Sequence, residues 1–486
     1  MFSNNLAELS LNAPSRCVTS VRNDTRNHRF IVGTCAVSSG SDNDQDYTGA
    51  NTSSSPLYLL RYHEEMNELA IDAQLNFGEE DGGGSNEVWS CSSCPIDSNL
   101  IVTCRGNGET ALWKIPDDAL KEDELDFYPY EDDFGNDTSN RNEDINKSMD
   151  KIANLELGGR RVTDMQWNPG CLPTNSDSFD EHHGDIGTGN DQFNDANFLT
   201  VQSGRKEVCV TTWNIESDAA MQLDQITIPI PNERGVIPNP AKASWDPHNH
   251  NLCAVTVGSS IAILDLRSPL KVVNGIKSCH KFGVTDVDYN PNKIHVLASS
   301  GQDALVKFWD LRFTASDESH DHDLSNSSSW SRHTPLRTLR GGHFHWATSV
   351  KYNSFHDQLL LSGGTDGMVN LWRISSISSA PLLDLGGGDT VGDFVGVSPS
   401  SDMEGENINP VISYENDELL ESANAEDDGS VDTDGGNAPD VRVTKMEVRE
   451  AVYDLTWSAA DPWIYVTLGF DGNIVLNHVS SKEKYK

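Results

Sequence analysis

Two stretches of this chain run in one register. They are GVTDVDYNPNKIHVLASSGQDALVKFWDLR at 283–312 and ATSVKYNSFHDQLLLSGGTDGMVNLWRI at 347–374. Each reads as strand, turn, strand, tight turn, strand, with a tryptophan closing the third strand (Trp309, Trp372). A unit of this kind, about 40–45 residues long, cannot bury its own apolar face and must stack on neighbours. Stacked radially, such four-stranded units build an all-β propeller with protected edges. The pattern therefore predicts a seven-bladed β-propeller with disordered acidic loop insertions.

The register has a chemical counterpart. His280, Ser299, Asp303 and Trp309 recur as His343, Ser362, Asp366 and Trp372 at identical offsets. At these positions the chain resembles WD-repeat propellers, which use such a set as a buried chain of indole, hydroxyl, imidazole and carboxylate. A fully satisfied buried chain stiffens a blade, whereas a half-satisfied one is costly. A catalytic Ser-His-Asp triad is the competing reading. The same set in two blades argues against it, because one enzyme site needs one triad.

A seven-bladed ring needs roughly 300 residues, and the chain has 486, so loops are expected to take up the surplus. Composition agrees. Residues 401–440 carry 13 acidic and no basic residues, and 117–150 carry 13 acidic against three basic, so neither buries enough surface to offset its ordering entropy. Disordered insertions are expected at 117–150, 172–196, 314–332 and 383–440. A net charge of −40 disfavours nucleic acid or an anionic lipid surface as the main partner. The nine cysteines are odd in number, and several sit in apolar strand patterns, which fits free thiols in a reducing compartment. The opening MFSNNLAELS lacks a basic region followed by an apolar core, so no secretory signal is expected. A cytoplasmic chain is expected, reaching membranes through partners.

Blades are expected at about 23–64, 87–116, 162–215, 241–268, 283–312, 347–374 and 451–479. The last shows only three strands, so a strand within 6–22 is expected to close the ring. The polar set is complete in blades five and six alone. Blade four has Leu264 in the tryptophan position, blade seven has Asn477, and blade two has Asn107 where aspartate is expected.

Three passages carry a closer resemblance: YNPNKIHVLASSGQDALVKFWDLR at 289–312, HWATSVKYNSFHDQLLLSGGTDGMVNLWRISSISSAP at 345–381, and AVYDLTWSAADPWIYVTLGFDGNIVLNHV at 451–479. With HRFIVGTC at 28–35, they are similar to the family of the EARP and GARP complex-interacting protein. The resemblance implies a non-enzymatic adaptor that binds a multisubunit tethering complex, as a monomeric propeller within a larger assembly. It also implies work in endosomal recycling and endosome-to-Golgi retrograde traffic, at endosomes and the trans-Golgi network. It brings no site residues.

Other features have a sharp and a plain reading. Trp309-Asp310-Leu311-Arg312 matches the WDxR tetrad of propellers that serve cullin-based ubiquitin ligases as substrate receptors, with Arg312 facing the adaptor. Phe344, His345 and Trp346 lie on the rim where loops enter first strands and are candidate partner anchors; packing of Trp346 between blades is the plain alternative. Trp330, in the serine-rich SNSSSWSRH, is a short docking peptide on the sharp reading and incidental or a cap on the propeller on the plain one. Cys91 and Cys94 form one CxxC without a second half, and His182-His183 and His320-Asp321-His322 are isolated, so no metal is expected. Gly82–Gly84 and Gly386–Gly388 lack the lysine of a phosphate loop, and no cofactor is expected. A hydrolase would need a polar cluster at the central channel, and none is legible in the sequence.

Overall fold

A computed structural model describes residues 7–35, 55–77, 87–121, 145–158, 161–170, 197–216, 219–231, 239–312, 330–331, 333–379 and 440–484. Its strands form seven sheets. The innermost strands, in ring order, are Ser15–Ser20, Val88–Ser93, Val162–Trp167, Ala243–Trp245, Val284–Tyr289, Ala347–Tyr352 and Val452–Trp457. Each touches the next, and the last touches the first, so the ring closes. The fold is the seven-bladed propeller that the repeat pattern predicts.

Apolar residues of adjacent blades make seven separate cores, one per interface. Phe308, Tyr352 and Trp372 fill the wedge between blades five and six. Phe30, Leu60, Val466 and Leu476 fill the seam between the last blade and the first. Middle strands such as Val296–Gly301 and Leu359–Gly364 are buried along their whole length, because both sheet faces meet a neighbour.

The blade boundaries differ from the sequence reading in several places. Blade one starts at Ser15, not at 23, and its fourth strand is Glu68–Asn76. The outermost strands of the next five blades also lie outside the expected spans: Asp150–Asn154, Ala219–Pro229, Lys271–Ile276, Arg337–Leu339 and Val441–Glu447. In blade seven this place is taken by Ala7–Ser10, antiparallel to Asn473–His478.

Two expected insertions have ordered ends. In 117–150, Asp117–Ala119 makes a 3-10 turn and Asn146–Ser148 pairs in parallel with the outer strand of blade one. In 314–332, Trp330–Ser331 pairs in parallel with the outer strand of blade four. Both times the chain returning from an insertion is stitched to the preceding blade before it completes its own. Residues 172–196, most of 383–440 and the remainder of the other two insertions lie outside the described residues, with the histidines at 182, 183, 320 and 322 and both triple-glycine runs.

Candidate functional site

The polar sets of blades five and six are built alike. In blade five, Trp309 Nε1 donates to Ser299 Oγ at 2.8 Å, and Ser299 Oγ lies 2.8 Å from His280 Nε2. His280 Nδ1 then meets Asp303 at 2.7 Å. In blade six, Trp372 Nε1 donates to Ser362 Oγ at 2.9 Å, Ser362 to His343 Nε2 at 2.8 Å, and His343 Nδ1 to Asp366 at 3.2 Å. An indole N–H only donates, so the serine accepts there and donates onward. Each imidazole therefore carries its proton on Nδ1 and gives it to the aspartate. In blade six, Asn370 Nδ2 also points at His343 Nε2, at 3.2 Å.

The electrostatics agree. Burial depresses the His280 pKa in spite of Asp303. Burial works to raise Asp303, but hydrogen bonding and charge from His280, with Lys307 nearby, hold it at about 2. Asp303 and Asp366 also accept the backbone N–H groups of Lys281 and Phe344. Each set thereby pins the loop that enters its innermost strand. In blade two the set is broken: Thr103 Oγ1 and Trp113 Nε1 are buried without a hydrogen-bond partner among the described residues.

That pinning displays the rim. Phe344 is 74% exposed beside buried His343. His345 stacks on Trp346 with centroids 5.4 Å apart and is held by Thr365 at 2.6 Å. Trp346 is only half-buried. Three more exposed aromatics lie on this face of blades five to seven. Phe282 precedes the innermost strand of blade five, Tyr453 begins that of blade seven, and Phe470 sits in the second-to-third turn of blade seven. Tyr453 and Phe470 are 5.1 Å apart. Sequence reasoning named the 344–346 group as candidates but not these three, because nothing local distinguishes an exposed aromatic from a buried one.

Arg312 is exposed and grips Asp310 with two nitrogens, at 3.0 and 2.6 Å. Blade four repeats this grip, Arg267 on Asp265 at 2.9 and 2.7 Å. The third strand's exit is thus clamped alike in two blades. Cys91 packs between blades one and two and Cys94 between two and three, so the CxxC sulfurs do not converge.

The central channel corrects the sequence reading, which found no polar cluster there. Asp164, Lys242, Asp288, Lys351 and Asp454 line a cavity of about 520 Å³. Asp286 meets Lys351 at 3.2 Å. Burial pushes Asp288 up to about 6. Burial alone would depress Lys351, yet Asp286 and Asp288 hold it above the usual lysine value. Four carboxylates latch blades together. Asp164 accepts the N–H of Ala243, Asp286 that of Val350, Asp288 that of Tyr352 and Asp454 that of Val18, at 2.8–3.1 Å. The signal was present as an acid in the third place of VTDMQW, VTDVDY and VYDLTW. These residues converge only once the ring is shut.

Seven radial blades of four antiparallel strands, two of them carrying a fifth, short parallel strand, with the Trp-Ser-His-Asp sets inside two blades, define a WD-repeat β-propeller. The sequence model of the EIPR1 beta-propeller matches residues 238–372. The EARP-interacting protein 1 of Caenorhabditis elegans is 30% identical over 98% of this chain and 96% of its own length. The EARP and GARP complex-interacting protein 1 of Rattus norvegicus is 24% identical over 97% and 95%. The WD repeat-containing protein DWA2 of Arabidopsis thaliana is 24% identical over 96% and 94%. The chain belongs to the EARP and GARP complex-interacting protein family. Fold and family together define a protein-interaction scaffold. Among the described residues no helix is long and apolar enough to cross a membrane.

Proposed function

We propose that this protein is a non-enzymatic scaffold that binds an EARP- or GARP-like tethering complex and serves endosomal recycling and endosome-to-Golgi retrograde traffic. It works as a single propeller within a larger assembly, held peripherally at endosomes and the trans-Golgi network by its partners. The observation that carries the reading is the exposed aromatic run on blades five to seven. Phe282, Phe344, Tyr453 and Phe470 stand on one face of a rigid ring, in a family whose members are named for the complexes they meet. Aromatic side chains on a pre-organised surface are the usual anchors of such contacts.

Affinity purification of the tagged protein at its native level, with partners identified by mass spectrometry, tests the reading. Stoichiometric tether subunits support it. Recovery of cullin-ligase components without tether subunits, abolished by Arg312→Ala, overturns it in favour of a ubiquitin-ligase receptor. The recurrence of the arginine clamp at Arg267 weighs against that alternative, because it gives the WDxR tetrad a structural explanation.

A further inference from the structure

Two of the channel latches follow one rule. The third residue of an innermost strand accepts the N–H of the fourth residue of the next: Asp286 takes that of Val350, and Asp454 that of Val18. Ser15–Ser20, Val284–Tyr289 and Val452–Trp457 share a register irregularity just ahead of that third residue, so the positions are equivalent. In blade one the third residue is Cys17, and the fourth residue of the adjoining strand in blade two is Cys91. The seam between blades one and two thus has two thiols where those seams have an acid and a backbone N–H.

The fold brings the two sulfurs together. The thiols of Cys17 and Cys91 are hydrogen-bonded to each other. Both belong to the core between blades one and two, only 5% and 7% exposed, and both also line the channel cavity. Gly33 leaves room for the pair, because a Cβ there would run into Cys17 Sγ. Cys94, three residues past Cys91, packs in the next core and stays apart. The bond to Cys91 and burial push the Cys17 thiol well above its ordinary range, so at neutral pH it is held protonated.

We propose that Cys17 and Cys91 are a redox site, which hydrogen peroxide entering the channel converts to a disulfide joining blades one and two. One thiol takes an oxygen of the peroxide and becomes a sulfenic acid, and the first water leaves with the thiol proton. The second sulfur attacks the sulfenyl sulfur, the S–S bond forms, and a second water is expelled. Two thiols and one peroxide thus give one disulfide and two waters; the sulfurs lose two electrons and the peroxide gains them. The thiolate is the reactive form, so the pair withstands brief exposure and closes under sustained peroxide. A dithiol reductant reopens it by exchange. Closed, the seam gains a covalent latch at the place where its equivalents carry a hydrogen bond. This chemistry is independent of which complex the scaffold serves.

The test is titration of the full-length protein with hydrogen peroxide, alkylation of the remaining thiols, and tryptic digestion without reductant. The dose is carried to the point where exposed Met66 is converted to its sulfoxide. Mass spectrometry is expected to find the peptide Cys17–Arg22 joined to the one that carries Cys91, with tandem spectra placing the bond on Cys91. The linked species is expected to persist in Cys94→Ala and to vanish in Cys17→Ser and in Cys91→Ser. Oxidation is expected to raise the wild-type melting temperature by roughly 3 °C or more, reversibly with dithiothreitol, and to leave that of Cys91→Ser without such a rise. Should Cys17→Ser fold poorly, Cys91→Ser carries both readouts. Met66 fully converted while Cys17 and Cys91 are still alkylated as free thiols overturns the proposal. So does a sulfinic acid in place of the disulfide, or a bond spread over other cysteines. A linked pair with an unchanged or lower melting temperature overturns the latch.

Discussion

The carboxylate of Asp454 accepts the backbone N–H of Val18 at 3.1 Å, across 436 positions of sequence. One side chain of the last blade thus ties its innermost strand to that of the first. Asp164 and Asp286 do the same for Ala243 and Val350. Asp454→Ala would leave the Val18 N–H unsatisfied at the seam. A loss of about 1–3 kcal/mol is expected by urea denaturation. Asp454→Asn keeps an acceptor oxygen and is expected to cost clearly less; an equal cost would show that the latch is not the reason.

His343→Ala deprives Ser362 of its acceptor and the Asp366 carboxylate of a donor, both side chains being buried. The expected destabilisation is about 1–3 kcal/mol. An unchanged melting temperature would mean that the set contributes nothing to blade six.

Asp288 gives the ring a pH dependence. Its carboxyl titrates at about 6 in the folded chain, because burial disfavours the charge, against about 3.9 in an unfolded one. The unfolded state therefore loses this proton first as pH rises. Stability from this group is present at pH 4 and gone above 6. Asp288→Asn removes the term, so the variant is expected to gain on wild type by about 1 kcal/mol between pH 5 and 7.5. A constant difference across that range would refute the assignment.

Phe344→Ala and Tyr453→Ala remove exposed rings and are expected to leave the melting temperature unchanged. Each is expected to reduce recovery of the tether subunits at least about tenfold, the scale of a hot-spot truncation. Full recovery with both changed would move the docking surface off this face.

How far the fold was legible depended on where a strand sits in its blade. Second and third strands such as Leu359–Gly364 and Met368–Arg373 are buried throughout and read as apolar runs. Outer strands meet solvent on one side. Ala219–Pro229, AAMQLDQITIP, has a single buried residue, Ile228, and so carries no run to recognise. The tryptophan, serine, histidine and aspartate of blades five and six stood at fixed offsets and could be found from spacing alone. The channel acids could not, because nothing local links Asp164 to Ala243. Trp330 was visible as an oddity, but a two-residue pairing leaves no pattern in sequence.

The strand that closes the ring sets an order in time. Ala7–Ser10 leaves the ribosome well before its partner Asn473–His478. At 5–20 residues per second, the two are separated by roughly half a minute to a minute and a half. Throughout that interval the nascent sheets present bare edges that other chains can pair with. Anything that holds Ala7–Ser10 elsewhere once Asn473–His478 has emerged, such as a chaperone, leaves that later strand as an open edge.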